Sequence, residues 1–198
     1  MNIQEHWLDC AAHIPSPNCD LRPDANDISL IVLHCISLPP GKFDARFIHQ
    51  FFCNQLNPAD DRYFRTIDQL KVSAHILINR QGVISQYVPF DKRAWHAGHS
   101  EYAGRSRCND FSIGIELQGT ETTAYTDRQY QQLALLIKAL LKHYPGLSRS
   151  RITGHSDIAP GRKSDPGESF DWRRLFQLLD KQADEVKRLS GKGVDKGA

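Results

Sequence analysis

Hydrophobic positions along the chain fall into continuous, alternating and helical patterns, and each pattern predicts a different element. Ile28-Ser29-Leu30-Ile31-Val32-Leu33 is apolar and β-branched but too short for a typical helix, so it predicts a buried central strand with His34 at its C-terminal end. Ser37 to Gly41 contains two prolines and is loop, after which Phe47, Ile48, Phe51 and Phe52 recur at helical spacing from Asp44 onward. That helix is expected to cover one face of a sheet. Pro58 to Leu70 is polar and aromatic without a clean period, which predicts irregular chain or a short helix. Val72 to Ile78 and Val83 to Val88 are β-rich runs joined by Asn79-Arg80-Gln81-Gly82, the pattern of a hairpin. Phe111 to Leu117 predicts a further strand, in which Phe111, Ile113, Ile115 and Leu117 share one face and Ser112, Gly114 and Glu116 the other.

Thr126-Asp127-Arg128-Gln129 is a capping box ahead of Tyr130, Leu133, Ala134, Ile137, Leu140, Leu141 and Tyr144, an apolar stripe at helical spacing that ends near Pro145-Gly146. A last helix is predicted from about Asp171, with Trp172, Leu175, Phe176 and Leu179 facing inward. Beyond it the chain turns polar, so the organisation expected is a domain over residues 1–180 and a disordered tail over 181–198. Strands and helices mix without a regular βαβ alternation, which predicts a single α/β layer structure around a mixed sheet.

Composition narrows the function classes. A length of 198 residues suits one domain, and 40% hydrophobic with 24% charged residues describes an ordinary globule. A formal net charge of +2 predicts neither a nucleic-acid nor a membrane-surface partner. No apolar run approaches the roughly 20 residues of a membrane span, and Met1 to Cys10 lacks a basic segment followed by an apolar one, so a cytoplasmic protein is expected. Five cysteines, Cys10, Cys19, Cys35, Cys53 and Cys108, form an odd set without paired short spacing, unlike a disulfide framework or a cysteine zinc site. Cys35 reads either as a small buried residue or, beside His34, as a nucleophile or ligand.

The candidate chemistry lies in His34 and in the segment from Gly154 to Gly167, which contains His155, Lys163 and Asp165. Two imidazoles and a carboxylate would leave one tetrahedral position of Zn²⁺ open, as in a hydrolase and not in a structural zinc site. The distance in sequence between His34 and His155 is not that of a local motif, so the residues alone leave two readings: metal ligands, or hydrogen-bonded strand-end and loop histidines. Lys163, two residues before Asp165, projects to the same side if the segment is extended. Glu116 reads either as a functional carboxylate in an apolar strand or as one paired to an arginine.

Val72-Ser73-Ala74-His75, Arg93-Ala94-Trp95-His96-Ala97-Gly98, Cys108 to Leu117 and Gly154 to Gly167 together closely resemble the cytoplasmic 1,6-anhydro-N-acetylmuramyl-L-alanine amidases of Gram-negative bacteria, from about Trp7 to Trp172. These are zinc-dependent type 2 N-acetylmuramoyl-L-alanine amidases, related to phage amidases and to peptidoglycan recognition proteins. The resemblance implies a central, mainly antiparallel sheet flanked by helices with zinc in a groove at one edge. It also implies His34, His155 and Asp165 as zinc ligands, Glu116 as general base and Lys163 as oxyanion stabiliser. Trp95, His96, Arg107, Lys71 and Cys35 are implied as contacts for an anhydro-muropeptide. Close members usually carry Asn in place of Cys35 and Arg in place of Lys71, and phage relatives carry Tyr in place of Ala74. The implied role is hydrolysis, by a monomer, of the bond between anhydro-N-acetylmuramic acid and L-Ala in peptidoglycan recycling, with an indirect effect on β-lactamase induction. Two alternatives remain open: an amidase of intact peptidoglycan, and a recognition module without turnover.

Overall fold

A computed structural model describes residues 1–190, with side chains over 1–181. Its centre is a six-stranded sheet built from β1 (Ala12–His13), β2 (Leu30–Ile36), β3 (Ile76–Ile78), β4 (Ile84–Gln86), β5 (Ser112–Gln118) and β6 (Ile152–Gly154). The spatial order is β6-β2-β5-β3-β4-β1. Helices α1 (Ala45–Phe52), α2 (Asp127–His143), α3 (His155–Ile158) and α4 (Trp172–Ser190) complete the framework.

The sheet is mixed, but it is mainly parallel where mainly antiparallel pairing was expected. β6 with β2, β2 with β5, β5 with β3 and β4 with β1 are parallel, whereas the β3–β4 hairpin is antiparallel. The chain between β2 and β3 passes through α1, and that between β5 and β6 through α2; such long crossovers let neighbouring strands run the same way. Burial agrees, since every residue of β5 is buried and so are the first five of β2, the signature of strands covered on both faces.

β2 extends two residues past His34, to Ile36. The apolar run ends at Leu33, but the backbone continues pairing with β5 through Gln118 opposite Ile36. His34 therefore lies inside a strand whose neighbour dictates its direction.

One core lies between the sheet and the α2 and α4 helices. Ile31 and Leu33 of β2 and Ile113, Ile115 and Leu117 of β5 meet Leu133, Ile137 and Leu140 of α2 and Leu175 and Leu179 of α4 there. Full burial of such a side chain is worth about 1.5–3 kcal/mol. The start of α2 is set by the capping box: Thr126 Oγ1 accepts from Gln129 N at 3.2 Å and Gln129 Oε1 accepts from Thr126 N at 3.0 Å. A second core forms beneath α1, where Ile48, Phe51 and Phe52 pack with Phe64, Leu77 and Tyr87. Asp44 caps α1 by accepting from Arg46 N at 2.9 Å, and the segment from Pro58 to Leu70 contains one short 3-10 turn, Phe64–Thr66. Helix α4 continues beyond Lys181, where a polar tail was expected to begin; residues 191–198 of that tail lie outside the described residues.

Candidate metal centre

Parallel pairing brings the site together. His34 on β2 stands opposite Glu116 on β5 in the register, so their side chains leave the same face of the sheet. On the other side of β2, Gly154 of β6 stands opposite Leu33, and the next residue, His155, opens α3 beside His34. The end of β6 is held by Asp157, whose Oδ2 accepts from Gly154 N at 2.9 Å and from Thr153 Oγ1 at 2.9 Å. The chain then loops and returns so that Asp165 O accepts from Ser156 N at 2.9 Å. Gly167 closes this return with φ at 87°, where a Cβ would lie 2.2 Å from Glu121 Cα; glycine is required on both grounds.

His34 Nδ1, His155 Nδ1 and Asp165 Oδ2 converge. The two nitrogens are 3.0 Å apart, and the carboxylate oxygen lies 2.9 Å from His34 and 3.1 Å from His155. His155 Nε2 faces the Ala97 carbonyl at 3.1 Å, which can only accept, so that nitrogen carries the hydrogen. His34 Nε2 meets His96 Nδ1 at 2.9 Å, and His96 Nε2 meets Ser112 Oγ at 3.1 Å. With the hydrogen on each outer nitrogen, both Nδ1 atoms offer lone pairs to a point shared with the carboxylate. Three acceptors around one point call for a cation, and two neutral imidazoles with one carboxylate suit Zn²⁺ while leaving a coordination position open.

Burial pushes the His34 imidazole down, against the pull of Asp165. Burial raises the Asp165 carboxyl, but the two imidazoles outweigh it and hold the group well below the usual carboxylate range. Glu116 is different: burial, then the charge of Asp165, raise its carboxyl well above the ordinary value, and Lys163 opposes them. Its Oε2 is buried without a hydrogen-bond partner.

Beside these groups opens a cavity of about 540 Å³ lined by His34, Glu116, His155, Lys163 and Asp165 at one end and by Phe51, Tyr63 and Ile67 among the apolar residues of its wall. The arrangement can bind a cation, offer a protonatable carboxylate beside it, and hold a ligand with polar and apolar parts.

A model of the N-acetylmuramoyl-L-alanine amidase family (Amidase_2) matches residues 24–168. The chain belongs to the N-acetylmuramoyl-L-alanine amidase family. It is 54% identical over 182 residues to the 1,6-anhydro-N-acetylmuramyl-L-alanine amidase AmpD of Escherichia coli (strain K12), which spans 92% of this chain and 99% of that protein. A crystal structure of a selenomethionine AmpD derivative is similar with a TM-score of 0.88 at 56% identity, over 90% of this chain and 99% of that one. AmpDh3 from Pseudomonas aeruginosa, solved in complex with anhydromuramic pentapeptide, is similar with a TM-score of 0.58 at 27% identity, over 88% and 71% of the two chains.

The amidase fold distributes the remaining candidate residues unevenly. Trp95, half-buried, lines the cavity, and so does Cys35, whose thiol burial pushes up to about 12. A neutral thiol at physiological pH is a contact surface and a poor nucleophile. Lys163 is exposed at the cavity wall. Lys71 is exposed and lies off the cavity wall; Arg107, also exposed and off that wall, pairs with Asp110 at 3.3 Å. His96 reaches the cavity wall, but both of its ring nitrogens are engaged by protein groups. His75 is fully buried: its Nδ1 accepts from Gly114 N at 3.0 Å and its Nε2 faces the Lys92 carbonyl at 3.0 Å, a structural role.

Three residues with roles here escaped the sequence reading. Arg162, an exposed residue, donates through Nη2 to Ala97 O at 2.7 Å and His99 O at 2.6 Å. Ser112 receives His96, and its place on the Glu116 face of the strand was the available signal. Arg22, 6% exposed, donates to the carbonyls of Phe90, Asn109, Asp110 and Ser112, with no carboxylate bonded to it among the described residues. Nothing local in the sequence marks it.

Proposed function

We propose that this amidase hydrolyses the bond between 1,6-anhydro-N-acetylmuramic acid and the L-Ala of a stem peptide, as a zinc enzyme of cytoplasmic peptidoglycan recycling. The observation that carries this reading is Glu116 Oε2, buried and unpartnered on the cavity wall next to the convergent His34, His155 and Asp165. When bound by these three residues, zinc supplies a Lewis acid for the amide carbonyl and makes water acidic enough to attack near neutral pH.

The chain's own groups do the rest. Glu116 takes a proton from the attacking water at its free oxygen and delivers it to the departing amine nitrogen of L-Ala. Burial raises its carboxyl, which favours its holding the proton in transit. Lys163, at the cavity wall, places an ammonium where negative charge develops on the carbonyl oxygen. Trp95 offers an aromatic face to the anhydro-sugar or the peptide, with Cys35 and His96 as nearby wall. Lys71 and Arg107, exposed outside the wall, attract the carboxylates of the stem peptide. Five unpaired thiols fit a reducing compartment, and none of the described helices is long and apolar enough to cross a membrane. Destruction of muropeptide signals would keep β-lactamase induction low.

The test is zinc content together with peptide release from a soluble anhydro-muropeptide and from intact sacculi, for native protein and Asp165→Ala. The expected result is one zinc per native chain, release from the soluble substrate above all, and loss of both zinc and release in Asp165→Ala. Zinc-loaded native protein that binds the fragment and releases no peptide would make it a recognition module. Preferred release from sacculi would make it an amidase of intact peptidoglycan.

A further inference from the structure

The two histidines of the proposed zinc site turn their outer nitrogens toward consecutive residues. His34 Nε2 meets the His96 ring at 2.9 Å, and His155 Nε2 donates to the Ala97 carbonyl at 3.1 Å. The backbone of this pair is gripped by one side chain: His96 N at 3.2 Å and Ala97 N at 2.8 Å both donate to Asn109 Oδ1. An amide oxygen has two lone pairs and can accept from both. Outside the pair, the His96 ring is held by Ser112 Oγ and the Ala97 carbonyl by Arg162. Below it, Gly114 leaves room for the ring, since a Cβ there would lie 2.5 Å from His96 Cγ. The preceding residue, Trp95, lines the cavity.

We infer that residues 96–97 form one strap that orients both metal histidines, and that Asn109 is the positioning residue that holds the strap. A histidine fixed only through its metal bond can rotate; a hydrogen bond at its second nitrogen sets the tautomer and ring plane. Most such partners are independent of one another, whereas here both belong to one dipeptide and move together. Displacing the strap turns both ligands at once and shifts the neighbouring Trp95, so the metal geometry and the cavity wall share a support. This inference rests on the zinc-site reading above.

The test measures zinc dissociation constants by chelator competition on the full chain, with the visible spectrum of the Co²⁺ form. Asn109→Leu removes the acceptor at similar volume and is expected to weaken zinc by about 10–100-fold and alter the Co²⁺ spectrum. Asn109→Asp keeps an acceptor oxygen and is expected to stay near native. Leu133→Ala, which loosens the core on the opposite face of the sheet, is expected to lower the thermal midpoint of the metal-free protein without changing zinc affinity. If native protein binds zinc and Asn109→Leu matches it in affinity and spectrum, the inference is wrong. It is equally wrong if Leu133→Ala weakens zinc as much as Asn109→Leu does. Should Asn109→Leu fail to fold, Asn109→Ser, whose shorter side chain withdraws the acceptor, decides: weakened zinc supports the strap and unchanged zinc overturns it. Native protein that takes up no zinc would remove the site reading itself, a failure distinct from these.

Discussion

The two faces of β5 obey different rules. On one, Ile113, Ile115 and Leu117 pack toward α2 and α4, and what matters is apolar volume removed from water. On the other, Ser112, Gly114 and Glu116 face the histidine cluster, and what matters is which atom meets which. Packed faces tolerate volume-conserving exchange. A buried polar face does not, because each group must be matched by a partner or bear the cost of desolvation. Of the buried side-chain atoms without a partner among the described residues, only Glu116 Oε2 belongs to a residue lining the cavity. On the polar face the unpartnered atoms are Gln118 Nε2 at the strand end and Glu116 Oε2, where a substrate proton would arrive.

Substitutions on the two faces should separate cleanly. The largest effect is expected from Glu116→Gln, which keeps shape and zinc but removes the proton acceptor; turnover should fall by about 10²–10⁴-fold in steady-state assays with zinc content unchanged. Loss of zinc in that variant would place Glu116 in the ligand set. Leu133→Ala, fully buried on the packing side, should lower stability by about 2–5 kcal/mol in urea unfolding. Its turnover per folded molecule should stay native, and a large loss there would mean that the faces are coupled.

A smaller effect comes from His75, which burial and the nearby Arg22 bring down to about 3. Unfolded chain takes up a proton on His75 near pH 6.5, and the folded chain does so only near 3, so this stability is complete above 6.5 and lost as the pH falls. The expected loss is about 1.4 kcal/mol per pH unit inside that window. In the metal-free protein His75→Gln should show a shallower dependence of stability on pH by one proton, and an unchanged slope would reject the assignment. The smallest effect is Thr126→Ala, which removes the α2 cap for about 1 kcal/mol and should be silent in activity.

Local pattern made several of these features legible. The capping box at Thr126 and the stripe behind it specify α2 because both depend on spacing within one helix. The period of two in Phe111 to Leu117 put Glu116 on the face opposite Ile113 and Ile115, where it lies. The family resemblance, and not the spacing, grouped His34, His155 and Asp165, whose side chains lie together in the fold. The direction of strand pairing was misread, because the residues in a strand show burial while its neighbour's direction depends on the crossover between them. The contacts of Arg162 were not legible for a related reason: its partners are backbone carbonyls of Ala97 and His99, and a carbonyl has no letter in the sequence.

What the sequence by itself determined is the set of elements, their buried faces and the identity of the reactive groups, since periodicity, caps and side-chain chemistry are local properties. Only the tertiary structure decided that β2 and β6 run side by side so that His34 and His155 meet, that Glu116 stands level with His34, and that Asn109 grips the strap behind them. Those relations are distances between residues far apart in the chain, and they exist only once parallel register and loop closure have been chosen by the packing of the whole.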